Sequence, residues 1–200
     1  MDHLTAAAVP LGALTAWQAP HEHARLAAGQ HVLVHGGAGG VGAYAVQLAA
    51  LAGARVTATA SARDLAFVAG LGARDVLDYS GRFEDHVRDV DVVIDPVGGA
   101  TTARSWPVMR SGGTLVAIAG EPDPGQGGRG DVHGVYFVVR PDGGQLRELA
   151  ALVDKRQLRP AVSAVFELAA LPEAFQAQHA ARLPGKVIIS VNRTTRDDRA

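Results

Sequence analysis

Three glycines in the segment HVLVHGGAGGVG have the spacing G-x-G-x-x-G, which is typical of a turn that binds a pyrophosphate. They are Gly37, Gly39 and Gly42. In such a turn the first glycine permits the tight turn, the second lets the backbone approach the phosphates, and the third lets a helix pack closely on a strand. The free N–H groups and the positive dipole end of the new helix then face the anion. The spacing therefore predicts a dinucleotide site.

These glycines lie between a strand and a helix, as the proposed binding chemistry requires. Residues 31–35 form a short run with an apolar and largely β-branched centre, and apolar residues then recur at helical spacing over residues 41–52. A second strand at residues 55–60 closes a βαβ unit of the required length. A glycine-rich turn without a ligand is the alternative, and the combination of strand, helix and second strand favours the binding site.

The end of the second strand indicates the cofactor. An acidic residue there would accept a hydrogen bond from the ribose 2′-hydroxyl of NAD, but the strand ends at Ala60 and is followed by Ser61 and Arg63. A hydroxyl and a guanidinium can bind a 2′-phosphate, so these residues predict NADP(H). Against this, Asp64 can pair with Arg63. Tyr79, at the end of the third strand, either packs near the adenine or lies half in the core.

Apolar runs further along the chain predict the rest of a sheet. Four more strands are expected at residues 75–79, 91–95, 114–119 and 135–139, with helices at 62–71 and 144–156. The runs are continuous rather than alternating, which is typical of a parallel sheet buried on both faces. With right-handed crossovers this predicts an α/β fold with a doubly wound parallel sheet.

The predicted organisation has four parts. They are lead-in helices at 1–29, the dinucleotide-binding domain at 30–157, a return segment at 158–191 and a polar tail at 192–200. The lead-in contains a helix over 6–17 with a break near Pro10 and a short helix over 23–28. The return segment contains a strand, a helix and a strand at 162–168, 172–182 and 186–191. The glycine- and proline-rich stretch at 121–134 is expected to be a loop, either a lid or simply flexible.

Composition excludes several other classes of function. A net charge of −1 and a pI near 6.7 give no electrostatic footprint for nucleic acid or an anionic membrane. The absence of cysteine excludes thiolate metal sites, disulfides and cysteine nucleophiles, and a cytoplasmic location is expected. Neither a secretory nor a membrane-spanning segment is recognised in the sequence.

Other residues that could do chemistry carry weaker signals. Residues 21–23, His-Glu-His, contain donor types that bind metals, but positions i and i+2 do not share a helix face, and no metal site is predicted. His35 is expected to be held by backbone groups rather than to donate a proton. Tyr44 and Tyr136 lack a lysine four residues later, which argues against the tyrosine and lysine chemistry of short-chain dehydrogenases. The sequence has no G-x-S-x-G elbow and no P-loop lysine.

Several segments, in order, resemble the zeta-crystallin-like quinone oxidoreductase branch of the medium-chain dehydrogenase/reductases. They are AAAVPLGALTAWQA, VLVHGGAGGVGAYAVQLAALAGARV, TASARD, LGARDVLDY, DVVIDPVGG, GGTLVAIAG and GKVIISV. The resemblance implies a Rossmann fold, NADPH, and a zinc-independent hydride transfer from the nicotinamide to a quinone or an α,β-unsaturated carbonyl. It also implies a homodimer. It names no catalytic residue.

The resemblance assigns cofactor contacts by position. The diphosphate turn comprises Gly37, Ala38, Gly39, Gly40 and Val41; the 2′-phosphate and adenosine contacts are Ser61, Arg63 and Tyr79; the nicotinamide half comprises Thr15, Asp95, Val97, Ile118, Gly120, Phe137 and Val139.

The resemblance is incomplete at the N-terminus. Members of that branch carry a catalytic domain ahead of the segment that begins here near Leu4, and only the return segment of that largely missing second domain matches this chain. Three hypotheses follow: a reductase with its own or a borrowed pocket, an NADPH-binding module or subunit that a second chain completes, and a non-functional fragment. The resemblance favours an oxidoreductase, and the sequence does not name the hydride acceptor.

Overall fold

A six-stranded parallel sheet forms the centre of the computed structural model, which describes residues 1–123, 125, 130–181 and 183–191. The strands are β1 (His31–Val34), β2 (Arg55–Ala60), β3 (Asp75–Asp78), β4 (Val90–Asp95), β5 (Met109–Ala117) and β6 (His133–Tyr136). Their spatial order is β3-β2-β1-β4-β5-β6, and every pair is parallel. This is the doubly wound Rossmann order, with the switch point between β1 and β4. The predicted fold class is confirmed.

Helices cover the sheet, and a second, small sheet follows it. The helices are α1 (His3–Ala8), α2 (Pro10–Gln18), α3 (Gly42–Leu51), α4 (Leu65–Ala69), α5 (Ala100–Ser105), α6 (Gly143–Asp154) and α7 (Leu171–Ala181), and the second sheet consists of β7 (Val162–Glu167) and β8 (Lys186–Ser190). The two strands of that sheet are parallel and flank α7 in the sequence.

The central strand β1 shows why the strands have continuous apolar sequences. Val32 and Val34 belong to the apolar cluster formed with α2 and α3, whereas Leu33 belongs to the cluster around Trp106 on the other face. Each strand face is therefore buried, and no position of β1 is exposed. Burial of both faces favours apolar residues throughout the strand.

The structure corrects the predicted helix at 23–28. The chain instead forms a π-helical turn at Ala19–His23 and then leaves the helical conformation, with Arg25 at a φ of 50°. A left-handed residue cannot continue a right-handed helix. The first strands and helices otherwise lie within a few residues of their predicted bounds, and the break predicted near Pro10 falls at Val9.

The predicted loop at 121–134 is shorter than expected, because β6 already begins at His133. Residues 124 and 126–129 of that loop, Arg182 at the end of the predicted last helix, and the tail at 192–200 lie outside the described residues. Among the helices that the structure describes, none is long and apolar enough to span a membrane.

The return segment does not depend on another domain for its pairing. Strands β7 and β8 pair with each other, and both contact helix α1 at the other end of the chain. Large apolar side chains that remain exposed among the described residues of this segment include Val165, Leu168, Leu171, Phe175 and Val191.

Candidate functional site

A cleft of about 640 Å³ lies at the carboxyl ends of β1, β2 and β4, where a doubly wound sheet binds its ligands. Eight of the residues assigned to the cofactor line this cleft: Ala38, Gly39, Gly40, Val41, Ser61, Arg63, Tyr79 and Val97. They come from the glycine turn, the end of β2, the end of β3 and the loop after β4. The structure therefore brings together the residues assigned to the phosphates and the adenosine, with the exception of Gly37.

Each glycine of the turn is required for a different reason. A Cβ on Gly42 would lie 2.1 Å from the carbonyl oxygen of Gly36, so only glycine lets α3 begin this close to the turn. Gly37 faces the core, where a Cβ would lie 2.9 Å from Val68. The positive φ that the turn needs, 58°, occurs at Gly36 rather than at Gly37, which corrects the role predicted for the first glycine. Gly39 lines the cleft, and a Cβ there would meet only the Gly36 oxygen, at 3.2 Å.

Helix α2 packs directly on the glycine turn through Gly12. A Cβ on Gly12 would lie 2.2 Å from the carbonyl oxygen of Gly40. The sequence does not reveal this role, because a glycine inside a predicted helix ordinarily indicates only a weaker helix. Thr15, on the same helix, is buried and donates its hydroxyl hydrogen to the carbonyl oxygen of Leu11 at 2.7 Å.

The segment before β8 forms the opposite wall of the cleft. The Gly185 amide donates to the carbonyl oxygen of Ala38 at 2.7 Å. Lys186 lies over the turn, because a methyl group on Gly40 would be 2.8 Å from its Cε and 3.0 Å from its Nζ. An ammonium group thus lies beside the backbone that is assigned to the pyrophosphate. Lys186 is far from the turn in the sequence, so no local sequence pattern assigns it to the site.

The groups assigned to the 2′-phosphate are already hydrogen-bonded to Asp64. The Ser61 hydroxyl donates to Asp64 Oδ2 at 2.5 Å, and Arg63 Nε lies 3.6 Å from the same oxygen. The pairing of Arg63 with Asp64 that the sequence allows is therefore present. The Arg63 side chain is still 56% exposed at the rim of the cleft, so it can turn toward an anion. Tyr79 is half exposed and lines the same rim.

Most residues assigned to the nicotinamide half lie outside the cleft. They are Thr15, Asp95, Ile118, Gly120, Phe137 and Val139. Asp95 is fully buried: Oδ1 accepts hydrogen bonds from the amides of Val97 and Gly98, and Oδ2 accepts one from the Thr102 hydroxyl at 2.5 Å. This carboxylate shapes the loop after β4. Gly37 also lies outside the cleft and supports it from the core side.

His35 directly follows β1, lines the cleft and is almost fully buried. Its ring nitrogens bind the hydroxyls of Thr59 and Ser105, not backbone groups as predicted. Burial lowers the pKa of His35 to about 4. The negative charge of Asp95 raises this pKa, and the positive charge of Arg104 lowers it further. Because an unfolded histidine titrates near 6.5, the stability that this neutral ring contributes is complete above pH 6.5 and is lost as the pH falls toward 4.

The residues that resemble metal ligands have structural roles. His21 stacks on Trp17, and His23 stacks on Phe137, in both cases with 4.2 Å between ring centroids. Glu22 pairs with Arg140 at 2.7 Å. Among the described residues, no three His, Cys, Asp or Glu side chains are grouped so that they could hold a metal ion.

Tyr44 is also structural. Its hydroxyl donates to the carbonyl oxygen of Ala8 at 3.2 Å, and burial raises the pKa of Tyr44 to about 12. The phenol therefore stays protonated and ties α3 to α1.

The sequence model of the family described as "Zinc-binding dehydrogenase" matches residues 71–189, more than half of the chain. The chain belongs to this family. Its fold and glycine turn are those of the medium-chain dehydrogenase/reductase superfamily, as the sequence motifs suggested. The described residues do not fit the zinc ion in the family's name, since they offer no ligand cluster.

Two curated relatives and one solved structure show how far the similarity extends. A "Probable zinc-binding oxidoreductase, mitochondrial" from Arthroderma benhamiae is 32% identical over 93% of this chain and 62% of its own length. The "NAD(P)H oxidoreductase RTN4IP1, mitochondrial" of Danio rerio is 32% identical over 96% of this chain and 58% of its own length. The quinone oxidoreductase structure from Coxiella burnetii superposes with a TM-score of 0.90 at 31% identity, covering 96% of this chain and 62% of that one. The chain thus spans about three fifths of these relatives.

Proposed function

We propose that this chain binds NADP(H) in the cleft described above and acts as an NADPH-dependent oxidoreductase on a quinone or an α,β-unsaturated carbonyl. The observation that carries the proposal is the cleft itself, in which the glycine turn, the rim residues Ser61 and Arg63, and Lys186 surround one volume of about 640 Å³. The similarity to an NAD(P)H oxidoreductase and to a quinone oxidoreductase supports the same reaction class.

The cleft has the properties that a dinucleotide needs. Gly39 and Gly40 offer backbone without side chains, and α3 begins at Gly42 with its amide dipoles directed toward the turn. Lys186 supplies a positive charge beside Gly40. Arg104 does not compete for the phosphates, because its Nη2 lies 2.6 Å from Glu84 Oε2.

In this proposal the bound nicotinamide supplies the hydride, and the residues described here bind and orient the nucleotide. The turn and Lys186 hold the pyrophosphate. Arg63 pairs with the 2′-phosphate, and Tyr79 packs against the adenosine half, where its exposed ring is available. No described residue is proposed as a proton donor to the substrate.

The activity is tested by measuring NADPH oxidation against a panel of quinones and enones, with the nucleotide's Kd measured in the same preparation. Turnover that depends on one acceptor class supports the reductase. NADPH binding without turnover above background would instead support the second candidate, a binding module completed by another chain. The exposed Leu168 and Phe175 of the return segment favour that candidate, because they leave an apolar face open to a partner.

We expect Arg63→Ala to weaken NADPH about tenfold and to leave NADH nearly unchanged, because a charge-assisted contact to phosphate contributes about 1.5–3 kcal/mol. Asp64→Ala should act in the opposite direction. It removes a negative charge next to the 2′-phosphate and frees the Ser61 hydroxyl, so NADPH should bind several-fold more tightly, by roughly 0.5–1 kcal/mol. Calorimetric titration of both nucleotides measures these effects.

The control for this pair is Arg82→Ala, which removes an exposed arginine that does not line the cleft. It should leave both affinities unchanged. Equal affinities of the wild-type chain for NADPH and NADH would contradict the proposed preference.

We also propose a homodimer in which the β6 strands of two copies pair. Strand β6 lies at the edge of the sheet, and Tyr136 at its end and Val138 just after it are exposed. An unpaired edge with apolar neighbours recruits another strand, and an isologous pair gives a closed dimer. Light scattering should show two chains per particle, and a monodisperse monomer would contradict the proposal.

A cytoplasmic location is part of the proposed function, although the two curated relatives are named as mitochondrial.

A further inference from the structure

A chain of four hydrogen bonds runs from helix α5 to the glycine turn. The Ser105 hydroxyl lies 2.7 Å from the carbonyl oxygen of Thr101, and Ser105 Oγ lies 2.8 Å from His35 Nε2. His35 Nδ1 lies 3.1 Å from Thr59 Oγ1, which accepts the Gly36 amide at 3.2 Å. Gly36 is the residue of the turn with a positive φ, and its carbonyl oxygen accepts the Gly39 amide at 2.8 Å.

The direction of each bond in this chain follows from the two ends. A carbonyl oxygen only accepts, so the single hydrogen of Ser105 Oγ points to Thr101, and Ser105 must accept from His35 Nε2–H. At the other end, the Gly36 N–H only donates, so Thr59 Oγ1 accepts it and its own hydrogen is available for His35 Nδ1. Both conditions are met by the neutral His35 ring with its hydrogen on Nε2.

The charged groups around His35 are consistent with this neutral form. Asp95, at the end of β4, is held by Thr102 and by two backbone amides, and Arg104, on α5, is paired with Glu84. The Phe83 ring packs edge-on against His35, with 4.8 Å between the ring centroids. These two charged neighbours thus already have partners, and the aromatic neighbour is apolar.

We propose that His35 is a positioning residue for the nucleotide: its Nε2–H tautomer, selected by Ser105, orients Thr59 to hold Gly36 and so fixes the turn that faces the pyrophosphate. The opposite tautomer would donate to Thr59 Oγ1, which already accepts Gly36, and the Thr59 hydrogen would lose its acceptor. The inference rests on the proposed dinucleotide function for its ligand, but the hydrogen-bond chain is a property of the free protein.

The decisive variant is Ser105→Ala, because Ser105 is fully buried and does not line the cleft. The Ser105 hydroxyl contacts both His35 and the Thr101 carbonyl, and Thr101 lines the cleft, so the His35 tautomer and the Gly36 exchange must be measured beside the affinity to identify the route through His35. The chain offers a matched control in Thr57→Val. Thr57 lies on β2, as Thr59 does, and its hydroxyl lies 2.9 Å from Nε2 of another buried histidine, His31. Thr57 does not line the cleft. Both variants remove one buried hydroxyl partner of a histidine.

Three measurements test the proposal. Nitrogen-15 NMR of the free wild-type chain at pH 7 should show His35 as the Nε2–H tautomer, and Ser105→Ala should shift it toward Nδ1–H. Hydrogen exchange at the Gly36 amide should become faster in Ser105→Ala and stay unchanged in Thr57→Val. The affinity for ADP-ribose, which lacks both the nicotinamide and the 2′-phosphate, should fall roughly tenfold in Ser105→Ala only.

The possible outcomes separate this inference from the proposed function. A wild-type Nδ1–H tautomer, or Gly36 exchange and ADP-ribose affinity that respond equally to both variants, would overturn the positioning role. If the wild-type chain binds no ADP-ribose while the tautomer and the Gly36 exchange follow the expected pattern, the hydrogen-bond chain stands and the nucleotide function is overturned.

Discussion

Replacing Gly39 by valine should abolish nucleotide binding while the protein remains folded. Gly39 lines the cleft, and a Cβ there would meet only the Gly36 oxygen at 3.2 Å, which a small adjustment of the turn accommodates. The two methyl groups beyond it would occupy the space that the pyrophosphate needs. We expect NADPH affinity to fall roughly hundredfold or more, or about 2.7 kcal/mol. Fluorescence titration measures the affinity, and circular dichroism with thermal unfolding measures the fold.

Two other glycine variants show whether the effect belongs to the cleft. Gly143→Val adds the same side chain at the start of α6, where the nearest atom would be 3.8 Å away, and it should change neither fold nor affinity. Gly42→Ala forces a Cβ to within 2.1 Å of the Gly36 oxygen, so it should destabilise the domain itself. A folded Gly39→Val protein that still binds NADPH would show that the turn has only a structural role.

The contrast between Gly39 and Gly42 also shows what the sequence could predict. The spacing of the glycines, the apolar strand before them and the helix after them are local, and each depends on residues a few positions apart. The six strands were predicted for the same reason, since each contains apolar residues that are close together in the sequence. Where a local signal was ambiguous the prediction failed, as in the helix placed over 23–28, which Arg25 prevents by adopting a positive φ.

The rest of the site depends on contacts between distant parts of the chain. Gly12 is needed because α2 touches Gly40, and nothing near Gly12 in the sequence reveals this contact. Whether Asp64 binds Ser61 depends on side-chain rotamers, which the order of residues does not determine. His35 could be recognised as close to the cleft, but its two hydroxyl partners come from different elements.

Lys186 makes the clearest of these distant contacts. It is one of two lysines in the chain, and its ammonium group is held beside Gly40 because Gly185 donates to Ala38 and β8 then begins. Gly185 itself has a φ of 81°, and a Cβ there would lie 2.3 Å from the carbonyl oxygen of Ala161. The backbone before β8 is therefore shaped to bring this lysine across the cleft.

We expect Lys186→Met to weaken NADPH and NADH by the same factor, roughly tenfold to a hundredfold, because a charged hydrogen bond contributes about 1.5–3 kcal/mol. The pyrophosphate is common to both nucleotides, so the loss should not discriminate between them as the loss at Arg63 does. Lys155→Met, at the exposed end of α6, is the matched control and should leave both affinities unchanged. Calorimetry at low and high salt measures the effect, and Lys186→Arg should restore most of the affinity. If Lys186→Met binds both nucleotides as well as the wild type does, this lysine only closes the cleft, and the turn alone holds the phosphates.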